Sequence, residues 1–316
     1  MFPVNSLVTA GNFELEKVLN YMGANLSSPL ASFGNTYIVI PSAHAAYVDF
    51  FKRFNVKYSD SSDMIQTTIS AAYSAAVASR MDKIYVMPGY TETVTAVKTL
   101  SKIGVSLIGL GEGQNRPAIT GNGAVDMFSL TGANQVIENF SFPAPLTDAQ
   151  TADVNVAAAG CVLRRLYSIG SVATENKTDM ITVASGGDDL IVENCRAYNV
   201  TVDVVSWLSL EAAVARPIIR DCKVQGAFST AVLMDEATAT LALIERNVFK
   251  NTKAATAVVT FTTGNTTGVM SFNHLSGRHT TIASNLVAGT GMDFFENRVV
   301  EEAALNGAVL PAADTD

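Results

Sequence analysis

A twelve-residue stretch, Asp189-Leu-Ile-Val-Glu-Asn-Cys-Arg-Ala-Tyr-Asn-Val200, returns in weaker copies along most of the chain. Each copy reads apolar, variable, polar, then a small, apolar or Asn residue, a variable one and usually an apolar one. The first position falls at Ile137, Leu163, Val192, Ile219, Ile244, Met270 and Phe294, in steps of 26, 29, 27, 25, 26 and 24 residues. A unit that short cannot bury its apolar side chains alone, so successive units must stack on one another. Asn139, Asn194 and Asp221 form one polar column, and Asn247, Asn273 and Asn297 form the next column along. Either the chain slips by one residue between the two sets or the alignment does.

The period is too short for ankyrin, tetratricopeptide or HEAT units, and the helical periodicity those need is missing. The fixed Leu spacing of a leucine-rich repeat is also absent. Between copies lie short β-branched runs, Met180-Ile-Thr-Val183, Thr230-Ala-Val-Leu-Met234 and Ala257-Val-Val-Thr-Phe261, broken by Gly, Asn and Asp. Three short strands per unit with no helix between them describe one coil of a parallel β-solenoid. Stacked at the interstrand spacing, roughly ten coils make a rod about 45 Å long. An Asn at one corner of successive coils can donate and accept along the stack, satisfying polar groups that a turn would otherwise bury unpaired.

With its recurring Asn, the repeat resembles the right-handed parallel β-helix of the pectin-lyase-like superfamily. Asp82-Lys-Ile-Tyr-Val-Met-Pro-Gly-Tyr-Thr-Glu92 resembles the opening strand and turn of that fold, and Gly104-Val-Ser-Leu-Ile-Gly-Leu-Gly-Glu-Gly113 its next coil. The resemblance spans residues 60 to 300. The expected fold is therefore mainly β, a right-handed parallel β-helix with a small N-terminal α/β region and a capping helix.

Three segments follow from this reading. Residues 1–60 form an N-terminal arm and a small α/β docking region, with a helix over Phe13 to Asn20, a strand at Tyr37 to Ile40 and a helix over Ala45 to Phe54 that puts Tyr47, Val48, Phe51 and Phe54 on one side. Residues 61–300 hold the solenoid, entered through a helix from Ser62 to Arg80. Asp63 and Gln66 give that helix a capping-box-like start, and Ile65, Ile69, Ala72, Tyr73, Ala76 and Val77 its apolar stripe. An open solenoid end exposes strand edges and core, so this helix is the expected N-terminal cap. Residues 301–316, small and aperiodic, read as a tail that is disordered or ordered only against a neighbour.

At 316 residues and 48% hydrophobic the chain can bury a large core, while only 16% of it is charged, with a net charge of -8. The acidic balance and the lack of a Lys/Arg stripe argue against nucleic acid. No apolar run approaches the ~20 residues of a membrane-spanning helix, and no targeting signal is read at the start, so synthesis in the host cytoplasm is expected. Cys161, Cys195 and Cys222 do not make a disulfide framework; Cys195 and Cys222 hold equivalent repeat positions and should stack inside the solenoid as small buried residues.

Catalytic, cofactor-binding and metal-binding residues are all expected to be absent. Ser185-Gly-Gly-Asp188-Asp189 superficially resembles the paired aspartates of polygalacturonase-type enzymes, with Glu211 as the remaining carboxylate. The Asn-Thr-Asp, Gly-His-Gly and Arg-Ile-Lys segments that such enzymes carry are missing, and a Gly-Gly-Asp-Asp stretch between strands is more simply a turn. His44, His274 and His279 have no ligand spacing. Gly109-Leu-Gly-Glu-Gly113 is not a dinucleotide fingerprint, because Asn115-Arg-Pro117 blocks the helix that should follow. Arg164-Arg165 reads as a solvated turn.

The segment Ala43-His-Ala-Ala-Tyr-Val-Asp-Phe50, the entry helix, the compact solenoid and the short tail are similar to β-helix proteins of tailed bacteriophage virions, which include head decoration proteins and tail spikes. The resemblance implies a structural protein of the capsid surface with the major capsid protein as partner, a homotrimer, and an arm carrying Phe2, Phe13 and Leu15 that docks on the shell. The alternative it implies is a tail spike or a polysaccharide lyase or hydrolase.

Overall fold

The computed structural model describes residues 34–45, 47–58, 60–147, 150–170, 177–200, 204–261, 266–279, 282–287, 291–301 and 307–310. Along them the chain winds as a parallel β-solenoid. Each coil gives one strand to each of three sheets, beginning with Lys83–Val86, Thr91–Val94 and Lys98–Leu100. Nine coils stack in the described residues, ending with Gly291–Phe295 and Asn297–Glu301 in the first and second sheets.

The repeat positions are backbone partners rung by rung. Ile137 pairs with Leu163, Leu163 with Val192, Val192 with Ile219, Ile219 with Ile244, Ile244 with Met270 and Met270 with Phe294. The column runs back through Leu107 and Ile84 to Tyr37. All of these except Phe294 are buried, and each such side chain contributes roughly 1.5–3 kcal/mol. Phe128, Phe142, Trp207 and Phe249 fill the lumen from the other two sheets.

The apparent slip of the Asn column disappears in three dimensions. Two residues after each apolar position the backbone enters the left-handed region, at Asn139, Arg165, Asn194, Asp221, Arg246, Phe272 and Glu296. Seven of the nine coils turn the same corner at the same place. The following residue points inward in each coil, and this column reads Phe140, Leu166, Cys195, Cys222, Asn247, Asn273 and Asn297. The six expected ladder residues therefore occupy two columns. Asn247, Asn273 and Asn297 are buried and bonded to one another, whereas Asn139, Asn194 and Asp221 are corner residues that tolerate positive φ. Asn139 turns its amide to Gly109 O and Gly111 O instead, at 2.8 and 2.9 Å.

The N-terminal region does not divide from the solenoid at residue 60. Thr36–Val39 is a strand of the first sheet, set between Lys83–Val86 and Ile65–Gln66, so the opening strand read at Lys83 has two more beyond it. That pairing shortens the expected helix over Ser62 to Arg80. Asp63 takes the Asn55 amide at 2.6 Å and Ile65–Gln66 joins the sheet. The helix, α1, is Ile69–Ala75, capped by Thr68 rather than by Asp63. Ile69, Ala72 and Ala76 still close the lumen at this end, while Val77 is exposed. Lys102 of the next turn donates to the last carbonyls of α1 at Tyr73, Ser74 and Ala76, satisfying acceptors that a helix end leaves open.

The preceding helix, Tyr47–Phe54, buries Phe50 with Ile38, Ile40, Met64, Ile65 and Met87. Its apolar stripe is Tyr47, Phe50, Phe51 and Phe54, the i, i+3, i+4, i+7 set, and Val48 lies off it, 54% exposed. At the other end Gly307–Leu310 pairs antiparallel with Asn297–Glu301, so part of the expected tail is a strand on the chain's own last coil. No helix of the described residues is long and apolar enough to cross a membrane.

Candidate functional site

The carboxylates singled out in the sequence serve the stack. Asp188 accepts a bond from Ala215 N of the next coil at 2.7 Å. Asp189 sits at positive φ and receives the Arg216 guanidinium two-pronged, at 2.6 and 2.8 Å; that contact holds its carboxyl below the usual range.

The exposed side of the first sheet shows the same use of charge. Glu138, Arg164, Glu193, Arg220 and Glu245 are successive backbone partners, alternating in sign over five rungs. Arg164 Nε meets Glu138 Oε2 at 2.9 Å, and Arg220 Nη2 meets Glu193 Oε2 at 2.7 Å. Asp221 extends the pattern sideways, held by Arg246 at 2.9 Å. Glu245 turns instead to Arg246 of its own coil, at 2.8 Å. One exposed pair is worth ~0–1 kcal/mol, and the stacked backbone pre-arranges those from Glu138 to Arg220.

Along the third sheet a different set gathers, which sequence reading missed apart from Glu211. Asp179, 5% exposed, accepts from Ser206 N and Ser206 Oγ at 2.9 and 2.6 Å. Burial is the main influence on it and pushes its carboxyl up to about 6, with Ser206 pulling down and Glu236 adding repulsion. Glu211 is raised as well, first by burial and then by Asp179, Glu236 and Asp126. These residues come from four coils and are far apart in sequence. Only the third-sheet register, which sets Asp179 opposite Ser206, gathers them.

This arrangement gives stability a defined pH dependence. Between pH ~4 and about 6 folded Asp179 keeps a proton that the unfolded chain has lost. Its contribution is full below pH ~4 and is lost as pH rises through about 6. Asp179→Asn keeps the acceptor for Ser206 and removes the charge. It is expected to stabilise the protein at pH 8 by on the order of 1–2 kcal/mol and to flatten the loss between pH 4 and 7. Urea unfolding at pH 4, 6 and 8 checks both; an unchanged slope with lower stability at pH 8 rejects this origin.

His274 lies on the outer side of the second sheet, and His44 and His279 lie elsewhere. Among the described residues no group of three or more His, Cys, Asp or Glu is arranged to hold a metal. Cys195 and Cys222 stack in the lumen, as their repeat positions require, and burial raises the Cys222 thiol well above its ordinary range. Phe2, Phe13, Leu15 and the expected helix from Phe13 lie outside the described residues.

No family model matches the chain, and no curated protein does. Among solved structures the chain is similar to pectate lyase Pel9A, with 13% identity, a TM-score of 0.33, and coverage of 73% of this chain and 69% of that one.

Proposed function

We propose that this solenoid is a non-enzymatic structural protein of a bacteriophage virion, a decoration protein that binds and stabilises the major capsid protein shell as a homotrimer. The observation that carries the proposal is the alternating column Glu138, Arg164, Glu193, Arg220 and Glu245, together with Asp188 and Asp189 tied to the next coil. Charged side chains on these surfaces brace neighbouring coils, which suits a rigid spacer under mechanical load. A stiff rod meets a partner without ordering its own backbone on binding, so little conformational entropy is lost there. The N-terminal arm with Phe2, Phe13 and Leu15 supplies the docking contact in this scheme. Mass spectrometry of the native particle tests it through copy number. Hundreds of copies near stoichiometry with the shell protein are expected, and a few copies, or no particle, overturn the decoration role.

A second reading rests on the third sheet. A carboxyl that keeps its proton to about pH 6 near other carboxylates is an arrangement used in acid–base cleavage of glycosides, so Asp179 and Glu211 favour the tail-spike or polysaccharide-cleaving alternative. Reducing-end release from anionic polysaccharides that is abolished by Glu211→Gln supports it; no release by the wild type removes it.

A further inference from the structure

The corner between the first and second sheets breaks the rule of interleaved charge. Arg116, Arg165, Asn194, Arg196, Asp221 and Lys223 line a groove of about 330 Å³ there. Four of the six are cationic in a chain whose acidic residues outnumber Lys and Arg by 29 to 21. The single carboxylate, Asp221, already has both oxygens engaged by Arg246, at 2.9 and 3.1 Å. Arg165 has only a loose contact to Glu138, at 3.8 Å. Among the described residues Arg116, Arg196 and Lys223 make no salt bridge, and Arg116 Nε is buried without a hydrogen-bond partner. Burial and then repulsion from Arg165 and Arg196 lower the Arg116 guanidinium from its ordinary range, with Glu112 opposing them in part. Cations held together with one donor unmet destabilise the free protein, unless an anion neutralises them.

The fold builds the groove from separate parts. Arg196 and Lys223 are backbone partners in the second sheet, Arg165 and Asn194 are corner residues at positive φ, and Arg116 arrives from the turn after Gly113–Asn115. Arg196 and Lys223 also border a second hollow of about 490 Å³ over the outer side of the second sheet, with Tyr167, Tyr198 and Val248 in its lining. Tyr198 and Val248 are 45% and 40% exposed.

We infer that the corner groove is a binding site for a doubly charged oxyanion, a phosphate or sulfate group, and that the tyrosine-lined hollow takes the organic body that carries it. Guanidinium forks from Arg116, Arg165 and Arg196 match the oxygens of such a group, Lys223 adds a point charge, and the Asn194 amide can donate. A dianion suits the surplus of cations better than a single carboxylate does.

Calorimetric titration of the wild-type protein with inorganic phosphate, inorganic sulfate and phenyl phosphate, each against sodium chloride of matched ionic strength, tests the site. All three are expected to bind where chloride does not. Phenyl phosphate binding about tenfold tighter than phosphate supports an ester seated in the hollow, and equal affinities overturn the role of the hollow and leave the free ion as the ligand. Arg196→Gln combined with Lys223→Gln is expected to weaken binding about tenfold or more, and Asp221→Asn to strengthen it, with Lys52→Gln, which does not line the groove, as the control. Both groove cations are exposed second-sheet side chains, and an unchanged thermal midpoint shows that the double variant is folded. Should that variant fail to fold, the wild-type comparison with chloride still decides. No binding above chloride, or a double variant that binds as well as wild type, overturns the inference.

Discussion

Lys177→Met is expected to lower the unfolding free energy by about 3–5 kcal/mol at pH 7, one of the two largest single-residue effects in this fold. Lys177 Nζ lies 2.6 Å from Asp153 Oδ1, and both side chains are 0% exposed. Gln150 Nε2 donates to the same oxygen at 2.9 Å, and a parallel bridge between Gln150 and Lys177 fixes the geometry. Burial drives the Asp153 carboxyl up and the Lys177 ammonium down, and each partner opposes the other's shift. Removing the ammonium leaves a carboxyl that must either hold a buried charge alone or take up a proton. The loss should therefore shrink as the pH falls, because the variant's Asp153 is protonated in the fold before it is in the unfolded chain. Asp153 stands between Met127 and Met180 in its column, by the register that pairs Val154 with Phe128 and Ile181. Asp153→Met with Lys177→Met continues that apolar stack. The double variant is expected to recover most of the loss, since a packed apolar pair often equals a buried ion pair. Urea unfolding of both proteins decides: a single variant within 1 kcal/mol of wild type, or a double variant no better than the single, removes the argument.

This pair was not legible in the sequence, and the reason is physical. Asp153 and Lys177 are 24 residues apart and outside the repeated motif, so nothing local marks either as buried. The columns were legible because a solenoid converts sequence period directly into register, which is why Ile137 through Phe294 fell on one line. The charges of the first sheet sat in plain view beside those positions, Glu138, Arg164, Glu193, Arg220 and Glu245, and become a network only once the column is stacked. Helix limits were the weakest part. Ile65 carries the right period for a helix, yet its backbone is worth more as a partner to Ile38 at an otherwise open sheet edge. Of the corner groove, Asn194 and Asp221 stand in the polar column of the repeat and Arg165 beside Arg164, whereas Arg116 comes from a loop outside the repeat and is brought to them only by the winding of the chain.

Asn273→Ala is expected to cost about 3–4 kcal/mol, because one amide serves three coils. Asn273 Oδ1 accepts from Asn247 N and Asn247 Nδ2 at 2.9 and 3.0 Å, and Asn273 Nδ2 donates to Ile244 O and Asn297 Oδ1, both at 2.9 Å. Alanine would strand an amide and a carbonyl in the lumen, each worth roughly 1–3 kcal/mol unpaired. The same column shows how far the demand extends. Asn247 Nδ2 reaches Ile219 O and Asn297 Nδ2 reaches Met270 O, at 2.9 and 2.6 Å, so each amide bonds the apolar residue of the coil before it. Cys195 and Cys222 turn their thiols to the equivalent carbonyls, Leu163 O and Val192 O, both at 3.7 Å. The thiols are thus weak donors in positions where the later coils use amides. Cys222→Asn should therefore be tolerated within ~1 kcal/mol, since Asn247 already bonds the Cys222 amide as it would bond an Asn there. Asn273→Cys should cost nearly as much as Asn273→Ala, because Asn247 and Asn297 are oriented for an amide between them. Thermal unfolding of the three variants separates the cases. Equal losses at positions 222 and 273 would mean that side-chain volume governs the column, and a loss confined to position 273 that hydrogen bonding does.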